Sequence, residues 1–259
     1  MYYYISKTIM KSIYYLNLSE NTKRQVEMEE QLKIYGYKGN RIESIKGLEL
    51  PYLNYSEKVS ESLGIDIKYL RNEWLLNRSN FKTMSSDINF ILPRYGLYLS
   101  TIKAIQTAIK NGDEDAIILE DDAIINGKID VPNIDCDLIY LGATFKGEKY
   151  CDGDLIVVDP KQIKLYGTFG YYIKNLKETL KILLSPFQEG GGKDKHPLWR
   201  SDSVKLRCQS IDMFYINYYQ KYGKVYFINP QPISHPTINT STINKTQYKY
   251  FKNGLRFNY

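Results

Sequence analysis

The chain has 259 residues, of which 43% are apolar and 25% charged, so it can form one large globular domain or two small ones. Three cysteines without a C-x-x-C pair argue against a disulfide framework or a zinc site, and no apolar run reaches the length of a membrane span. The formal net charge of +6 favours anionic partners such as phosphates or nucleotides, but without a long basic run it does not indicate a nucleic-acid-binding protein.

The first elements of the chain have the pattern strand–helix–strand. Residues 12–18, "SIYYLNL", are rich in β-formers and predict a strand. Residues 19–36 carry capping residues, helical spacing of apolar side chains and a final glycine, which predict a helix. Residues 39–47, "GNRIESIKG", predict the next strand. Such a unit favours a parallel sheet.

The middle of the chain contains a region without a clear period. Residues 48–90 show neither the helical nor the strand spacing of apolar side chains. We therefore expect an insertion or a substrate-facing excursion there. A helix is predicted over residues 93–112, with Pro93 in its first turn, and the apolar residues 116–119 predict the strand that follows. Residues 136–142, "CDLIYLG", predict a further strand.

The last third alternates between the two element types. Residues 164–173 predict a strand, residues 176–184 a helix, and residues 210–223 another helix that leads into a strand and a proline-rich loop. The glycines of the loop at 188–200 form either a plain linker or the hinge of a lid. Without an internal repeat or an interdomain linker, we expect one domain over residues 1–259, with a basic aromatic arm at 246–259.

The segment "DAIILEDDAII" is the most informative part of the chain. Its apolar residues predict a buried strand that runs directly into Glu120, Asp121 and Asp122. Adjacent carboxylates repel one another and resist burial unless a positive charge or water is near. Open α/β sheets hold ligands beyond the carboxyl ends of their strands. Adjacent carboxylates there suit Mg²⁺ or Mn²⁺, which bridge proteins to substrate phosphates. A divalent cation site is therefore predicted, and a solvated acidic turn is the alternative.

Seven segments, taken in order, carry a resemblance to a known family: "YYLNLSENTKRQVEMEEQL", "NRIESIKG", "YGLYLSTIKAI", "IILEDDA", "CDLIYLG", "YGTFGYYI" and "QSIDMF". They resemble glycosyltransferase family 25, which holds bacterial lipooligosaccharide galactosyltransferases and procollagen galactosyltransferases. The resemblance spans roughly residues 12–245, with the region 48–90 poorly matched. Three positions depart from the family pattern, since Lys46 replaces an aspartate, Thr101 a histidine and Ile105 a tryptophan. The changes at Thr101 and Ile105 bear on substrate and acceptor preference more than on the fold.

The resemblance implies a fold and an activity. The fold is GT-A-like α/β, with a single Rossmann-type, mostly parallel sheet flanked by helices. The activity is inverting transfer of a hexose from a UDP-sugar, with galactose favoured over glucose, to a hydroxyl of a glycan or a collagen-like protein. The carboxylate motif would bind Mn²⁺ or Mg²⁺ as cofactor.

The resemblance also suggests roles at the metal site. Asp122 is the predicted metal ligand, assisted by Asp121, and Glu120 meets the sugar or anchors the loop. His235, in "ISHPT", is expected to give the third metal contact. The alternative for His235 is a surface-loop histidine.

An inverting transfer needs a base within reach of the acceptor hydroxyl. Asp212 is the predicted base, with a helix N-cap as its alternative role and Asp202 as the fallback. The remaining predictions concern the donor.

The donor nucleotide is expected at the carboxyl end of the first strand. Asn17 and Leu18 lie at this position and are the predicted nucleotide contacts. Arg24 is predicted to contact the pyrophosphate or ribose, and the alternative is that it belongs to a solvated helix face. Ser100 is a predicted sugar contact or a small residue that lets helix and sheet approach. Lysines at 193–195 would close over the diphosphate or belong to a solvated loop.

Two other classes of protein remain as alternatives. One is a carbohydrate- or nucleotide-binding protein of the same fold without activity. The other is a metal-dependent phosphatase or nuclease, which would need further dispersed ligands, whereas the chain has only two histidines. The chain start has no secretion signal, so we expect a cytoplasmic protein of a cell or an infected host cell. The acceptor and the oligomeric state are not indicated.

Overall fold

The computed structural model of the protein describes residues 11–70, 88–147, 154–159, 161, 163–188 and 211–235. Within these ranges the chain forms a seven-stranded sheet, a two-stranded ribbon and six α-helices. The strands are β1 (Ile13–Asn17), β2 (Gly39–Glu43), β3 (Ala116–Glu120), β4 (Ile124–Ile125), β5 (Leu138–Gly147), β6 (Leu155–Val157), β7 (Ile163–Ile173), β8 (Val225–Ile228) and β9 (Ile233–Ser234). The helices are α1 (Thr22–Ile34), α2 (Leu53–Leu63), α3 (Ile88–Lys110), α4 (Leu176–Leu184), α5 (Ile211–Asn217) and α6 (Tyr219–Tyr222).

The large sheet is mixed, with the strand order β2-β1-β3-β7-β5-β8-β6. β1 pairs in parallel with both β2 and β3, and β5 pairs in parallel with β8. Only β6 and β7 run against their neighbours, so the other five strands share one direction. This confirms the predicted α/β class with a mostly parallel sheet flanked by helices.

Both faces of the sheet are covered. Tyr14 and Leu16 of β1 face a core that also contains residues of α2, α3, α4 and α5. Ile13 and Tyr15 of the same strand face the opposite side, where α1 packs. All four side chains are buried, so β1 is the almost continuously apolar strand expected at the centre of a doubly covered parallel sheet.

The start of α3 contacts the chain that leaves β2 at very close range. A Cβ added to Gly47 would lie 1.6 Å from the Leu92 carbonyl oxygen, and one added to Gly96 would lie 2.5 Å from the Ile45 carbonyl oxygen. The Ser100 hydroxyl donates to the Gly96 carbonyl at 2.6 Å and accepts from the Ile45 amide at 2.8 Å. Two glycines and a small hydroxyl side chain therefore permit this helix–loop contact.

Three element boundaries differ from the predictions. The helix predicted from residue 93 begins at Ile88, so Pro93 lies inside it at the sixth position, where its missing N–H removes one backbone hydrogen bond of the helix. The helix predicted over 210–223 is divided at Tyr218 into α5 and α6. The region expected as an insertion contains α2, whose Val59 and Leu63 are buried. Residues 71–87, most of the 188–200 loop and the 246–259 arm lie outside the described residues.

Candidate active site

The acidic segment lies at the carboxyl edge of the parallel strands. In the β1–β3 register Leu16 is opposite Glu120, so Asn17 and Glu120 reach the edge together. The chain then turns, and the Ala123 amide donates to the Glu120 carbonyl at 3.1 Å. This turn places Asp121 and Asp122 just beyond the end of β3, where the sequence predicts a ligand site.

A short ribbon brings His235 to the same place. β4 follows the acidic turn and pairs with β9, with Ile124 opposite Ser234. His235 comes directly after β9, and its Nε2 lies 3.4 Å from Asp122 Oδ2. The imidazole also contacts the Phe169 ring, with 4.5 Å between the ring centroids. Residues more than 100 positions apart in the printed sequence are thus joined by two strands of two residues each.

The ribbon is held from both sides. Ile233 of β9 is fully buried against Gly142 of β5 and Gly170 of β7, which are paired with each other in the sheet. A Cβ added to Gly142 would lie 2.6 Å from the Ile233 carbonyl oxygen. On the other side Gln31 of α1 accepts from the Ile125 amide at 2.8 Å. The two glycines and Gln31 therefore determine where His235 lies.

Positive charge reaches the carboxylates from α1. Arg24 NH1 lies 3.0 Å from Asp121 Oδ1 and 3.4 Å from Asp122 Oδ2, and all three side chains are largely buried. Asn17 Nδ2 donates to Asp121 Oδ2 at 2.7 Å, and its own Oδ1 accepts from Arg41 Nε at 2.9 Å. Burial raises the pKa of Asp121 above its usual range, while the Asn17 amide and the Arg24 guanidinium oppose that shift.

One carboxylate oxygen of Asp122 has no partner among the described residues. Asp122 Oδ1 is buried and has no hydrogen-bond partner among the described residues. A buried carboxylate oxygen without a donor is costly, because it has lost its water and gained nothing in return. The site is therefore suited to a ligand that supplies a cation or a hydrogen-bond donor at this atom.

Glu120 has a different environment from its two neighbours. Its carboxyl group is buried and accepts a hydrogen bond from the Thr168 hydroxyl, which β7 brings alongside β3. Burial and the charge of Asp122 raise the pKa of Glu120 to about 8, and the Thr168 hydrogen bond and His235 oppose this shift. The charge of Asp212, at the start of α5, also raises this pKa, so the two carboxyl groups are within electrostatic range of each other.

The structure brings together most of the residues that the sequence singled out. Asp121, Asp122, Arg24, Asn17 and His235 form one contact network, and the charges of Glu120 and Asp212 interact within the same site. Leu18 lies at the same edge, where its carbonyl accepts from the Asn21 amide at 2.9 Å.

For two of these residues the structure bears on the alternative role that the sequence left open. Arg24 is not on a solvated helix face, since its guanidinium is paired with Asp121 and Asp122. Ser100 is fully buried and both sides of its hydroxyl are engaged, so its place corresponds to the packing alternative; its role as a sugar contact stays a prediction. His196, Asp202 and the lysines at 193–195 lie outside the described residues.

Three site residues were missed by the sequence analysis: Gln31, Arg41 and Thr168. Gln31 had a detectable signal, because it follows Met28 by three residues and so belongs to the buried side of α1. Thr168 had none, because its place beside Glu120 depends on β7 lying antiparallel to β3. Arg41 is exposed on β2, and only the Asn17 contact reveals its part in the network.

The donor set fits a divalent cation in one specific way. Among the described residues no group of three or more His, Cys, Asp or Glu side chains is arranged to hold a metal ion, so the predicted set of Asp121, Asp122 and His235 is not assembled as three ligands. Mg²⁺ and related ions often bind through one or two protein ligands and complete their shell with water and substrate phosphates. Asp122, with its unpartnered Oδ1, and the adjacent His235 fit that mode.

No family model matches the sequence, and no curated protein matches it. The resemblance to family 25 is therefore not supported by a family match and stays a prediction. The solved structure of a glycosyltransferase involved in the glycosylation of the major capsid of PBCV-1 is similar to this chain with a TM-score of 0.34 and 13% identity, over 94% of this chain and 98% of that one. A likeness this low supports no conclusion about fold or function. In the described ranges no helix is both long and apolar enough to cross a membrane.

Proposed function

We propose that this protein is a metal-dependent inverting glycosyltransferase that moves a hexose from a UDP-sugar to an acceptor hydroxyl. The observation that carries the proposal is the buried Asp122 Oδ1, which has no partner among the described residues and lies beside His235 at the carboxyl edge of β1 and β3. The order of the seven sequence motifs supports the choice of glycosyl transfer over other metal-dependent reactions.

Asp122 and His235 would hold the cation, which we propose to be Mn²⁺ or Mg²⁺. When bound, the cation would offset the charge that develops on the leaving diphosphate. Arg24 is already committed to the two aspartates, so any contact it makes with the pyrophosphate or ribose comes in addition to that ion pair. Asn17 is 1% exposed with its amide fully used, and we therefore propose that the nucleotide borders the chain at Leu18 instead.

Asp212 is the proposed base. It would take the proton of the acceptor hydroxyl as that oxygen bonds to the anomeric carbon and the bond to UDP breaks. Its proximity to Glu120 supports this role, since the two carboxyl groups would flank the sugar. Glu120, held by the Thr168 hydroxyl, would contact a sugar hydroxyl.

The test is UDP release from UDP-galactose, UDP-glucose and UDP-N-acetylglucosamine, with and without Mn²⁺. We expect slow Mn²⁺-dependent hydrolysis of one donor, with galactose favoured, and its loss in Asp122→Asn. Asp130→Asn is the matched control, because it makes the same chemical change at an exposed carboxylate. Release that is equal in the two variants would contradict the proposal, and Mn²⁺-dependent UDP binding without any turnover would favour the inactive binding protein.

A further inference from the structure

We propose that Asp121 is a positioning residue rather than a metal ligand, and that it holds the acidic turn so that Asp122 alone presents a carboxylate oxygen to the cation. The inference rests on the proposed function, since it concerns the same metal site. It assigns different roles to two adjacent, chemically identical side chains.

Both carboxylate oxygens of Asp121 are occupied. Oδ2 accepts from Asn17 Nδ2 at 2.7 Å, and Oδ1 accepts from Arg24 NH1 at 3.0 Å. The Asn17 amide is itself fixed in orientation, because its Oδ1 accepts from Arg41 Nε at 2.9 Å and only its Nδ2 is left for Asp121. A cation at Asp121 would have to displace a charge-assisted hydrogen bond.

Asp122, by contrast, has one carboxylate oxygen without a partner among the described residues. Its Oδ2 faces Arg24 and His235, each at 3.4 Å, whereas Oδ1 has no partner among the described residues. The Asp122 side chain is 9% exposed, so bulk water does not compensate this atom. Of the four oxygens in the pair, one is free to bind a cation, and it belongs to Asp122.

Arg24 links the carboxylates of Asp121 and Asp122. The same guanidinium nitrogen contacts Asp121 and Asp122, so fixing Asp121 through Asn17 also fixes the orientation of Asp122. Outer contacts of this kind orient the group that binds the metal, and their loss costs about 10–100-fold in metal affinity. Loss of the metal-binding carboxylate itself should cost more.

The experiment measures the binding of Mn²⁺ without nucleotide, by electron paramagnetic resonance of free and bound Mn²⁺. The variants are Asp121→Asn, Asp122→Asn, Asn17→Ala and the Asn17→Ala/Asp121→Asn double variant. Melting temperatures are recorded in EDTA. Tyr172→Phe is the structural control, because it removes a partly buried hydrogen bond to Asp115 at the opposite edge of the sheet.

The expected pattern separates the two aspartates. Asp122→Asn abolishes Mn²⁺ binding without lowering the melting temperature. Asn17→Ala and Asp121→Asn each weaken Mn²⁺ binding about 10-fold and lower the melting temperature by about 5 °C, and the double variant binds Mn²⁺ no worse than either single variant. Tyr172→Phe lowers the melting temperature but leaves the Mn²⁺ dissociation constant unchanged.

Two outcomes would overturn the inference, and they are distinguishable. If Asp121→Asn abolishes Mn²⁺ binding as Asp122→Asn does, while Asn17→Ala leaves it intact, then Asp121 is a ligand and the positioning role is wrong, although the metal site stands. If the unaltered protein binds no Mn²⁺, the metal part of the proposed function fails together with this inference.

Discussion

Three adjacent carboxyl groups have three different environments here. Asp121 is paired on both oxygens, Asp122 on one, and Glu120 accepts from Thr168 in a buried position. The sequence could predict that this acidic group needs a positive charge, and Arg24 provides part of it. It could not predict which carboxyl group faces which partner, because that depends on Asn17 and on β7, both far from the turn in the chain.

The raised pKa of Glu120 predicts a pH-dependent stability. The folded protein holds a proton on Glu120 up to about pH 8, whereas the unfolded chain loses it near 4.5, so the folded state is favoured at low pH and loses stability as pH rises through that window. Glu120→Gln removes this ionisation and keeps an acceptor for Thr168. In EDTA, the free energy of unfolding in urea should be several kcal/mol higher for the variant than for the unaltered protein at pH 9, and almost the same at pH 4.

The exposed Glu57 provides the control, since Glu57→Gln should leave the difference between pH 4 and pH 9 unchanged. Parallel stability curves for the Glu120→Gln variant and the unaltered protein over this range would show that Glu120 is not held protonated.

At the scale of elements, the site depends on the ribbon of β4 and β9. Each strand has two residues, too short for any periodicity, so the sequence predicts only a proline-rich loop where β9 lies. Most longer elements were predicted within a few residues, α4 over the observed span. The position of β7 between β3 and β5 was not predicted, because strand order within a sheet depends on contacts distant in the chain.

The glycine pair under Ile233 gives a matched prediction. In Gly142→Ala the new Cβ meets the Ile233 backbone oxygen at 2.6 Å, whereas in Gly170→Ala the nearest atom, at 2.9 Å, belongs to the movable Leu119 side chain. We expect Gly142→Ala to displace β9, lowering stability by about 2–4 kcal/mol and weakening Mn²⁺ binding through His235. Gly170→Ala should cost about half as much. Urea unfolding measures the loss of stability in each variant, and Mn²⁺ titration measures the loss of binding. If Gly170→Ala loses as much as Gly142→Ala or more, Ile233 does not fix the ribbon.

A second element contact is tested at Gly47. A Cβ there would lie 1.6 Å from the Leu92 backbone oxygen, so Gly47→Ala must push α3 away from the chain leaving β2 and should cost more than about 3 kcal/mol. Gly127 is the control, because no atom lies within 4 Å of an added Cβ and Gly127→Ala should change stability by less than about 1 kcal/mol. Similar unfolding midpoints for the two variants would contradict the close contact.

At the scale of the whole molecule, the two edges of the sheet have different roles. The carboxyl edge holds the acidic group with its unpartnered oxygen. The amino edge holds a second polar group in which Asp113 accepts from Ser12 and Tyr14, at 2.8 and 2.6 Å, and Asp115 pairs with Lys11. These carboxylates are matched by donors, which indicates a structural role.

The difference between the edges can be tested with Asp113→Asn. The amide keeps one acceptor and loses the charge, so the free energy of unfolding should fall by about 1–3 kcal/mol. UDP release and the Mn²⁺ dissociation constant should stay as in the unaltered protein, because the change lies at the far end of β1. A loss of activity in a fully folded Asp113→Asn variant would mean that the catalytic region extends to the amino edge.

The measurement that tests the central claim most directly is calorimetric titration of UDP into the protein, with Mn²⁺ and with EDTA, for the unaltered protein, Asp122→Asn and Asp130→Asn. The account predicts UDP binding that requires Mn²⁺, is unchanged in Asp130→Asn and is lost in Asp122→Asn. UDP binding of equal strength in Mn²⁺ and in EDTA, or retained by Asp122→Asn, would contradict a nucleotide held through a cation at the carboxyl edge of the sheet.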